Sequence, residues 1–333
     1  MDLSFLNDRI SLTIDLYYKK TRDLLQSLKI PQSSGWGTMM SNFGNVTNKG
    51  LELSGNFHIL KNTPVNWTLN ANISFNQNEI SGLKSDQFAS DLWYGAGEVF
   101  IQRNGCPIGA IYGYVEDGYW DNEAEIRADP RYANAPSATV KNMIGEIKYW
   151  DKTGDGEITP EDRDIIGNTN PDFIYGITNS FTWKNLSLSF FFQGSQGNDV
   201  FNGNLTDVTM SNIGNIPRFA YDSRWTPENY ESAKWPKAIA GYTRAWQITN
   251  RYVEDGSYLR LKNLTVGYKF LKPIKGIDLI NLTFTATNLF TITDYSWYDP
   301  DVNVFGGDAS RRGVDLYSYP LSRTFSLGIN MTF

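Results

Sequence analysis

The sequence is poor in cysteine and histidine, the two residues on which many catalytic and metal sites depend. Its 333 residues include one cysteine, Cys106, and one histidine, His58. These two residues cannot build a disulfide framework, a Cys/His zinc site or a Ser-His-Asp triad. Composition leaves carboxylate catalysis open, but no arrangement of acidic residues indicates an active site. We therefore predict that the chain is not an enzyme.

Long apolar runs and an excess of positive charge are also absent. No stretch of about 18 or more apolar residues occurs, which argues against a transmembrane helix but leaves membrane-spanning strands open. The net charge of -6, without clusters of Lys and Arg, excludes a nucleic-acid-binding surface. The segment from Met1 to Asp8 lacks the basic start and apolar core of a signal peptide, so we expect any export signal to lie outside this chain.

The sequence does contain a recurrent alternation of apolar and polar residues, which is typical of β-strands with one apolar face. Between Val65 and Asn76 every second residue is apolar, and the residues between them are Asn, Ser or Thr. A strand of a soluble sandwich would usually carry Lys and Glu on this polar face. The same pattern recurs at Ile10 to Tyr18, Leu51 to Ile59, Ile280 to Phe290 and Thr324 to Phe333.

Weaker segments bring the total to about ten candidate strands, most of them near the roughly 9 to 11 residues that cross a bilayer. In the segment 257 to 270, the leucines before and after Lys262 are out of phase, which predicts a bulge near Lys262 and Asn263. The other weaker segments are 98 to 104, 110 to 119, 172 to 183 and 186 to 193.

The predicted connections alternate in length, as in outer-membrane barrels, where periplasmic turns are short and extracellular loops are long. This alternation places the start of the first strand and the C-terminus on the periplasmic side. The predicted short connections are 60 to 64, 105 to 109, 184 to 185 and 271 to 278. The predicted long connections are 20 to 46, 77 to 97, 120 to 171, 194 to 256 and 291 to 321.

The final segment, Thr324 to Phe333, is amphipathic and ends on an aromatic residue. An apolar strand at the edge of a sheet is prone to aggregation in water. We therefore interpret it as the closing strand of an outer-membrane barrel. The alternative is the edge of a sheet in a soluble secreted β-sandwich or lectin-like binding module with a calcium-stiffened loop.

Short motifs recur in a fixed order along the whole chain. They are Asn45 to Glu52, Asn76 to Ile80, Gly105 to Gly109, Tyr112 to Tyr114, Asp117 to Gly118, Asp151 to Gly156, Ile165 to Gly167, Pro171 to Phe173, Arg224 to Asn229, Glu254 to Asn263, Thr287 to Phe290, Tyr298 to Pro300 and Tyr319 to Pro320. Each motif is weak by itself, but the ordered set is specific. The set resembles the SusC-like (SusC/RagA-type) TonB-dependent outer-membrane transporters.

This resemblance implies an all-β fold, a transmembrane antiparallel β-barrel of the large, roughly 22-stranded and plugged kind, with long extracellular loops. It also implies energy from the TonB complex, a SusD-like surface lipoprotein as partner, and import of oligosaccharides or peptides. We therefore expect residues 1-333 to form the C-terminal β-barrel portion of such a transporter, surrounded by outer-membrane lipid. The N-terminal plug and the signal peptide are expected to lie outside the chain.

Within the predicted extracellular loop 120-171, the segment from Asp151 to Asp162 resembles an EF-hand calcium loop. Calcium takes about six to eight oxygen ligands, and a glycine at the sixth position, here Gly156, permits the sharp turn. Thr153 replaces the acidic residue that is usual at the third position, and Asp162 is shorter than the glutamate expected at the twelfth. An acidic solvated turn is therefore the alternative. The predicted calcium ligands are the side chains of Asp151, Thr153, Asp155 and Asp162 and the carbonyl of Glu157.

Aromatic residues on the predicted long loops are candidates for stacking on sugar rings, because such stacking buries the apolar faces of the rings. The alternative is that each residue packs within the loops or lies at the membrane interface. The candidates are Trp93, Tyr94, Trp225, Trp235, Trp246, Trp297 and Tyr298.

Overall fold

The computed structural model describes residues 1–29, 33, 35–36, 38–42, 44–89, 98–206, 208, 215–239 and 247–333. The strands are β1 (Asp2–Phe5), β2 (Ile10–Thr21), β3 (Leu25–Lys29), β4 (Thr38–Asn42), β5 (Asn45–Leu60), β6 (Val65–Ser81), β7 (Gln87–Ala89), β8 (Phe100–Gln102), β9 (Ala110–Gly113), β10 (Glu116–Tyr119), β11 (Ile147–Tyr149), β12 (Asp164–Asn168), β13 (Phe173–Trp183), β14 (Leu186–Gln196), β15 (Asp199–Asn202), β16 (Val253–Asp255), β17 (Tyr258–Ile274), β18 (Ile277–Thr293), β19 (Val314–Asp315) and β20 (Thr324–Thr332). The described α-helices are α1 (Glu123–Ala128), α2 (Ser137–Met143) and α3 (Arg218–Asp222). None of the described helices has the length and apolar character needed to cross a membrane.

Nine of the strands form one antiparallel sheet in the order β1, β2, β5, β6, β13, β14, β17, β18 and β20. Each strand of this sheet pairs with the next one along the chain, which is the connectivity of an up-and-down barrel wall. Within the described residues the sheet is open, with β1 at one edge and β20 at the other. The predicted fold class, part of an antiparallel β-barrel, is thereby confirmed.

The register of the sheet separates an apolar face from a polar face. On the apolar face Leu69 of β6 lies opposite Phe57 of β5. One residue further along β6, Asn70 lies opposite Asn56, whose Nδ2 donates a hydrogen bond of 2.7 Å to the Asn70 Oδ1. The alternation seen in the sequence therefore corresponds to the two faces of one wall. His58 lies on the polar face, as expected, with its Nδ1 3.3 Å from the Thr68 hydroxyl oxygen.

The apolar face of the sheet is open. Leu16 is 78% exposed, Leu327 is 72% exposed and Ile329 is 58% exposed. A soluble protein would rarely leave so large an apolar surface in water, whereas a bilayer covers it. The soluble sandwich is therefore disfavoured.

Pairs of aromatic rings lie on the apolar face near both ends of the strands, in addition to rings nearer their middle such as Phe190 and Phe284. Near the short turns the rings of Trp67 and Phe181 stack with centroids 5.3 Å apart. Near the other end the rings of Phe75 and Phe173 lie 5.6 Å apart. Such belts are typical of the two interfaces of a membrane. Asn179 also faces this side, and its Oδ1 accepts a hydrogen bond of 3.0 Å from the Trp67 indole, which satisfies the polar group.

The predicted bulge near Lys262 is present. Phe191 of β14 pairs with Asn263 of β17, and Phe192 pairs with Leu261, so Lys262 has no partner across this ladder. One extra residue in a strand reverses the alternation. The bulge therefore returns the leucines on both sides of it to the same apolar face.

Two of the predicted wall strands are wrong. The segments 98–104 and 110–119 supply β8 and β9 to a separate four-stranded sheet with β7 and β12, and β10 pairs with β11. The connection 105–109 consequently is not a turn on the short side. It lies at the far end of β6, where the Ile80 N–H donates to the Cys106 carbonyl at 2.9 Å. Alternation reports that a strand has two unlike faces, but it does not report which sheet the strand joins.

Connections still alternate once these two segments leave the wall. The short connections are 6–9, 61–64, 184–185 and 275–276, and the long ones are 22–44, 82–172, 197–257 and 294–323. The predicted loop 120-171 is thus part of a single insertion between β6 and β13. The C-terminal strand ends on the side of the short turns, because Thr332 pairs with Leu279. The short first strand, β1, was not predicted.

We predict that arginine at Leu69 or Ile329 will weaken membrane assembly by roughly 2 to 4 kcal/mol, because both side chains lie on the apolar face that meets lipid. Arginine at the adjacent polar-face residues Asn70 or Asn330 should cost much less. Unfolding titrations of the full-length protein in lipid vesicles would measure the difference. Equal losses at adjacent positions would contradict the face assignment.

Candidate functional site

The described parts of the three longest connections, 82–172, 197–257 and 294–323, meet at one end of the sheet and share a hydrophobic core. We call the described parts of these three connections the loop unit. Phe100 and Ile111 come from the first connection, Phe201 and Tyr252 from the second, and Val314 from the third. Each is at most 2% exposed. The core is therefore made jointly by connections that are far apart in the sequence.

Backbone pairing also joins the three connections. Strand β15 pairs with β16 and, in parallel, with β19, so that Phe201 lies opposite Val314 of the last connection. The first connection joins the second at an isolated bridge between Tyr114 and Thr249, where the Tyr114 N–H donates to the Ile248 carbonyl at 2.8 Å. Each connection thus satisfies main-chain polar groups of another one.

A buried ion pair lies beside this bridge. The Arg251 Nε donates to Glu116 Oε1 at 3.0 Å, a second guanidinium nitrogen contacts the other carboxylate oxygen, and the Thr249 hydroxyl donates to Glu116 at 2.6 Å. The Arg251 guanidinium also lies 5.3 Å from the centre of the Trp235 ring. Burial lowers the pKa of Arg251, but the Glu116 carboxylate more than offsets this and leaves the pKa above its ordinary value.

A second polar tie joins the middle connection to the last one. Glu254 accepts hydrogen bonds from the Asn202 amide at 2.7 Å and from the Ser296 N–H and hydroxyl at 2.8 Å each. Nearby, the Tyr295 hydroxyl donates to Asp315 at 2.8 Å, and burial together with this carboxylate raises the pKa of Tyr295. Asn202, Tyr295 and Asp315 are buried, and their polar groups are hydrogen-bonded, which is the condition under which such groups stabilise a packed core.

Arg260 attaches the last connection to the wall. It lies on the polar side of β17 and is 1% exposed. Its guanidinium donates to the Thr291 hydroxyl at 3.0 Å, to Asp301 at 3.3 Å and to Asp299. A buried charge is tolerated only when it is paired and hydrogen-bonded. The segment that carries the two aspartates is therefore held against the upper end of the wall.

An open cavity of about 640 Å³ lies between the polar face of the sheet and this last connection. Gly176 lies on its wall, and a Cβ there would come within 3.1 Å of both the Phe191 ring and the Asn72 amide. Because glycine has no side chain, these two groups converge on the same spot. Gln193 on the wall and Arg312 on the loop side add hydrogen-bond donors to the cavity. The arrangement offers one ring face and several polar groups to a ligand.

The chain is similar in sequence to a known family and to individual proteins of that family. The family described as TonB dependent receptor-like, beta-barrel matches residues 2–151. A TonB-dependent receptor of Formosa agariphila is 33% identical over 344 residues, which cover all of this chain and 34% of that protein. The TonB-dependent receptor SusC of Bacteroides thetaiotaomicron is 28% identical over 340 residues, which cover all of this chain and 31% of that protein. Residues 2–151 therefore match the TonB-dependent receptor β-barrel family, and the whole chain is similar in sequence to TonB-dependent receptors.

Solved structures agree with this family in fold. The RagAB peptide transporter matches with a TM-score of 0.76 and 22% identity, over 99% of this chain and 34% of that chain. Its open-open state matches with a TM-score of 0.75. The chain thus spans about a third of the length of the relatives that it matches. The resemblance to SusC-like transporters seen in the motifs is confirmed.

The predicted calcium ligands come together in one turn, but their carboxylates point at the turn's own N–H groups. Asp162 is fully buried and accepts from the Thr153 N–H at 3.0 Å and from the Thr159 N–H at 2.7 Å. Asp151 accepts from two glycine N–H groups, and Asp155 from that of Glu157 at 2.8 Å. Burial raises the pKa of Asp162, but these hydrogen bonds outweigh it and leave the pKa below its ordinary value.

As arranged here, the turn does not form a cage for a cation. Among the described residues no group of three or more His, Cys, Asp or Glu side chains could hold a metal ion. A calcium ion would have to replace the hydrogen bonds that Asp151 and Asp162 accept from the backbone. Calcium binding by this turn stays a prediction.

The predicted aromatic candidates have unlike surroundings. Trp93, Tyr94 and Trp246 lie outside the described residues. Trp225 is 7% exposed and its indole donates to Asp121 at 2.9 Å, so its ring faces are covered by protein. Trp235 and Trp297 pack against the shared core, whereas Tyr298 is 72% exposed. The described candidates do not lie together at one site. Stacking on sugar rings stays a prediction for them.

The sequence reasoning missed the charged residues that organise this region. Arg260 was visible within the motif Glu254 to Asn263, and a charged residue flanked by two leucines in a strand is a signal of an unusual environment. Its partners Asp299 and Asp301 lie about 40 residues further on, as the separations of 39 and 41 residues show. Glu116 and Arg251 are 135 residues apart and carry no local signal.

We predict that Arg260→Met will destabilise the last connection by about 3 to 5 kcal/mol, because it leaves the buried Asp299 carboxylate without its cation. Limited proteolysis of the folded full-length protein, with cleavage sites mapped to 294–323, would measure the loosening. The control is Arg311→Met, which removes a partly exposed pair with Asp308 and should change stability by about 1 kcal/mol or less. Similar cleavage of both variants would contradict the proposed attachment.

We also predict that Asp162→Ala will loosen the turn even in a chelator, because four hydrogen bonds converge on this carboxylate. The expected cost is about 1 to 3 kcal/mol. Protease cleavage within 151–162 with and without millimolar calcium would measure it, and Asp155→Ala is the milder control. A turn that is loosened by Asp162→Ala only when calcium is present would instead show that the carboxylate acts as a metal ligand.

Proposed function

We propose that this chain forms part of the wall and the extracellular vestibule of a TonB-dependent outer-membrane importer. The observation that carries the proposal is the nine-stranded sheet with a lipid-type face and an Asn, Ser and Thr face, whose long connections fold together at one end. A wall of this kind separates lipid from a polar lumen. The folded connections then form the mouth through which a solute reaches that lumen.

The proposed orientation follows from the lengths of the connections. Outer-membrane barrels have short periplasmic turns and long extracellular loops. The loop unit is accordingly assigned to the cell surface, and the short turns and the C-terminal strand end are assigned to the periplasm. The Asp151 to Asp162 turn is then extracellular, where calcium is plentiful.

The proposed cargo is an oligosaccharide or a peptide. SusC of Bacteroides thetaiotaomicron and the RagAB peptide transporter are similar to this chain in sequence and in fold, respectively. The polar cavity beside Asn72, Phe191 and Gln193 suits either cargo, because amides pair with hydroxyls and with peptide groups. A SusD-like surface lipoprotein is proposed as the partner at the mouth, and the TonB complex as the source of energy. The proposal assigns no catalytic step to the chain.

Growth of the source organism without the full-length gene would test the proposal. We expect a growth defect on one class of sole nutrient, either defined oligosaccharides or peptide mixtures, and rescue by the wild-type gene. Rescue should also be obtained with Asn330→Arg, which alters the polar face, and should fail with Ile329→Arg, which alters the lipid face. Unchanged growth on both nutrient classes, or purification of the protein as a water-soluble monomer, would refute the importer.

A further inference from the structure

We propose that the loop unit is a single cooperative body, so that its three connections open, close and unfold together, and that the Glu116–Arg251 pair transmits a change in one connection to the others. This inference concerns the mechanics of the mouth and holds whatever solute is transported. It goes beyond the proposed function, which would be equally compatible with three loops that move separately.

The shared core is not enclosed by any one connection, although the first connection also has a small apolar cluster of its own around Trp120, Ile126 and Val140. Phe100 and Ile111 of the first connection are fully buried in a cluster that also contains Phe201 of the second connection and Val314 of the third. Moving one connection away would expose apolar surface on the other two. Segments that share a core in this way exchange and unfold as one unit.

The Glu116–Arg251 ion pair lies between the first and the second connection. The side chain of Glu116 is 8% exposed and that of Arg251 is 13% exposed, so both charges are largely removed from water. The Arg251 guanidinium also donates to the Tyr119 hydroxyl at 2.8 Å and contacts the Lys234 carbonyl. The pair therefore joins strand β10 of the first connection to two separate stretches of the second. Removing one charge leaves the other buried and unpaired.

The second connection links the Glu116–Arg251 pair to the last connection. The residues next to Arg251 lead directly into β16, where Val253 pairs with Phe201, and Phe201 pairs in turn with Val314. Glu254 at the same point accepts the hydrogen bonds of Ser296. A path of paired backbone and buried side chains thus runs from Glu116 to the last connection.

Hydrogen exchange measured by mass spectrometry on the full-length protein in detergent tests the inference. We expect Glu116→Gln to speed exchange about tenfold or more in peptides from all three connections, including 314–316, which Glu116 does not contact. The wall peptides from 173–196 should be unaffected. The matched control is Asp222→Asn, which removes the same charge from an exposed pair with Arg218 in the second connection and should leave exchange unchanged.

Faster exchange confined to 110–119 and 247–253 would overturn the inference, because the loops would then be mechanically separate. If Glu116→Gln does not assemble, Val314→Ala provides the reciprocal test from the last connection. It makes a small cavity in the shared core, and we expect faster exchange at 98–112 as well as at 312–316. An effect limited to 312–316 would equally refute a single cooperative body.

Discussion

The hydrogen bonding of the backbone between neighbouring strands is the constraint on which the rest of this structure depends. In a bilayer every N–H and C=O must find a partner within the protein. The nine wall strands meet this demand by pairing each with the next, over ladders of nine or more residues in seven of the eight pairings. Because the ladder uses the whole backbone, side chains alone decide which side meets lipid and which meets the lumen.

This constraint inverts the usual location of apolar residues within one chain. On the wall, residues such as Leu327 and Ile329 are exposed because lipid is their solvent. The long connections are surrounded by water, so their apolar residues, such as Phe100, Phe201 and Val314, are fully buried. The same protein therefore has an apolar exterior at the height of the membrane and an apolar interior above it. The loop unit is organised like a small soluble domain, although its strands come from three separate insertions.

Charged side chains hold the connections to the wall and to one another. Arg260 lies at the upper end of a wall strand and is satisfied entirely by the wall and by the last connection. Glu116 and Arg251 play the same part between two connections. In the Asp151 to Asp162 turn, backbone N–H groups supply the donors that satisfy the buried Asp162 carboxylate. Electrostatic pairing thus holds the connections at defined places on an otherwise repetitive sheet.

The sequence by itself determined most of the wall. Alternation of apolar and polar residues with a period of two is a local property of any strand that faces a different environment on each side. It predicted the faces of Leu69 and Asn70, the bulge at Lys262 and that the C-terminal strand ends where the short turns lie. It could not assign 98–104 and 110–119 to a second sheet, since their alternation is the same in either sheet. Only the tertiary structure showed that Glu116 contacts Arg251 and that Arg260 contacts Asp299. These residues are far apart in the sequence, and no periodic pattern connects them.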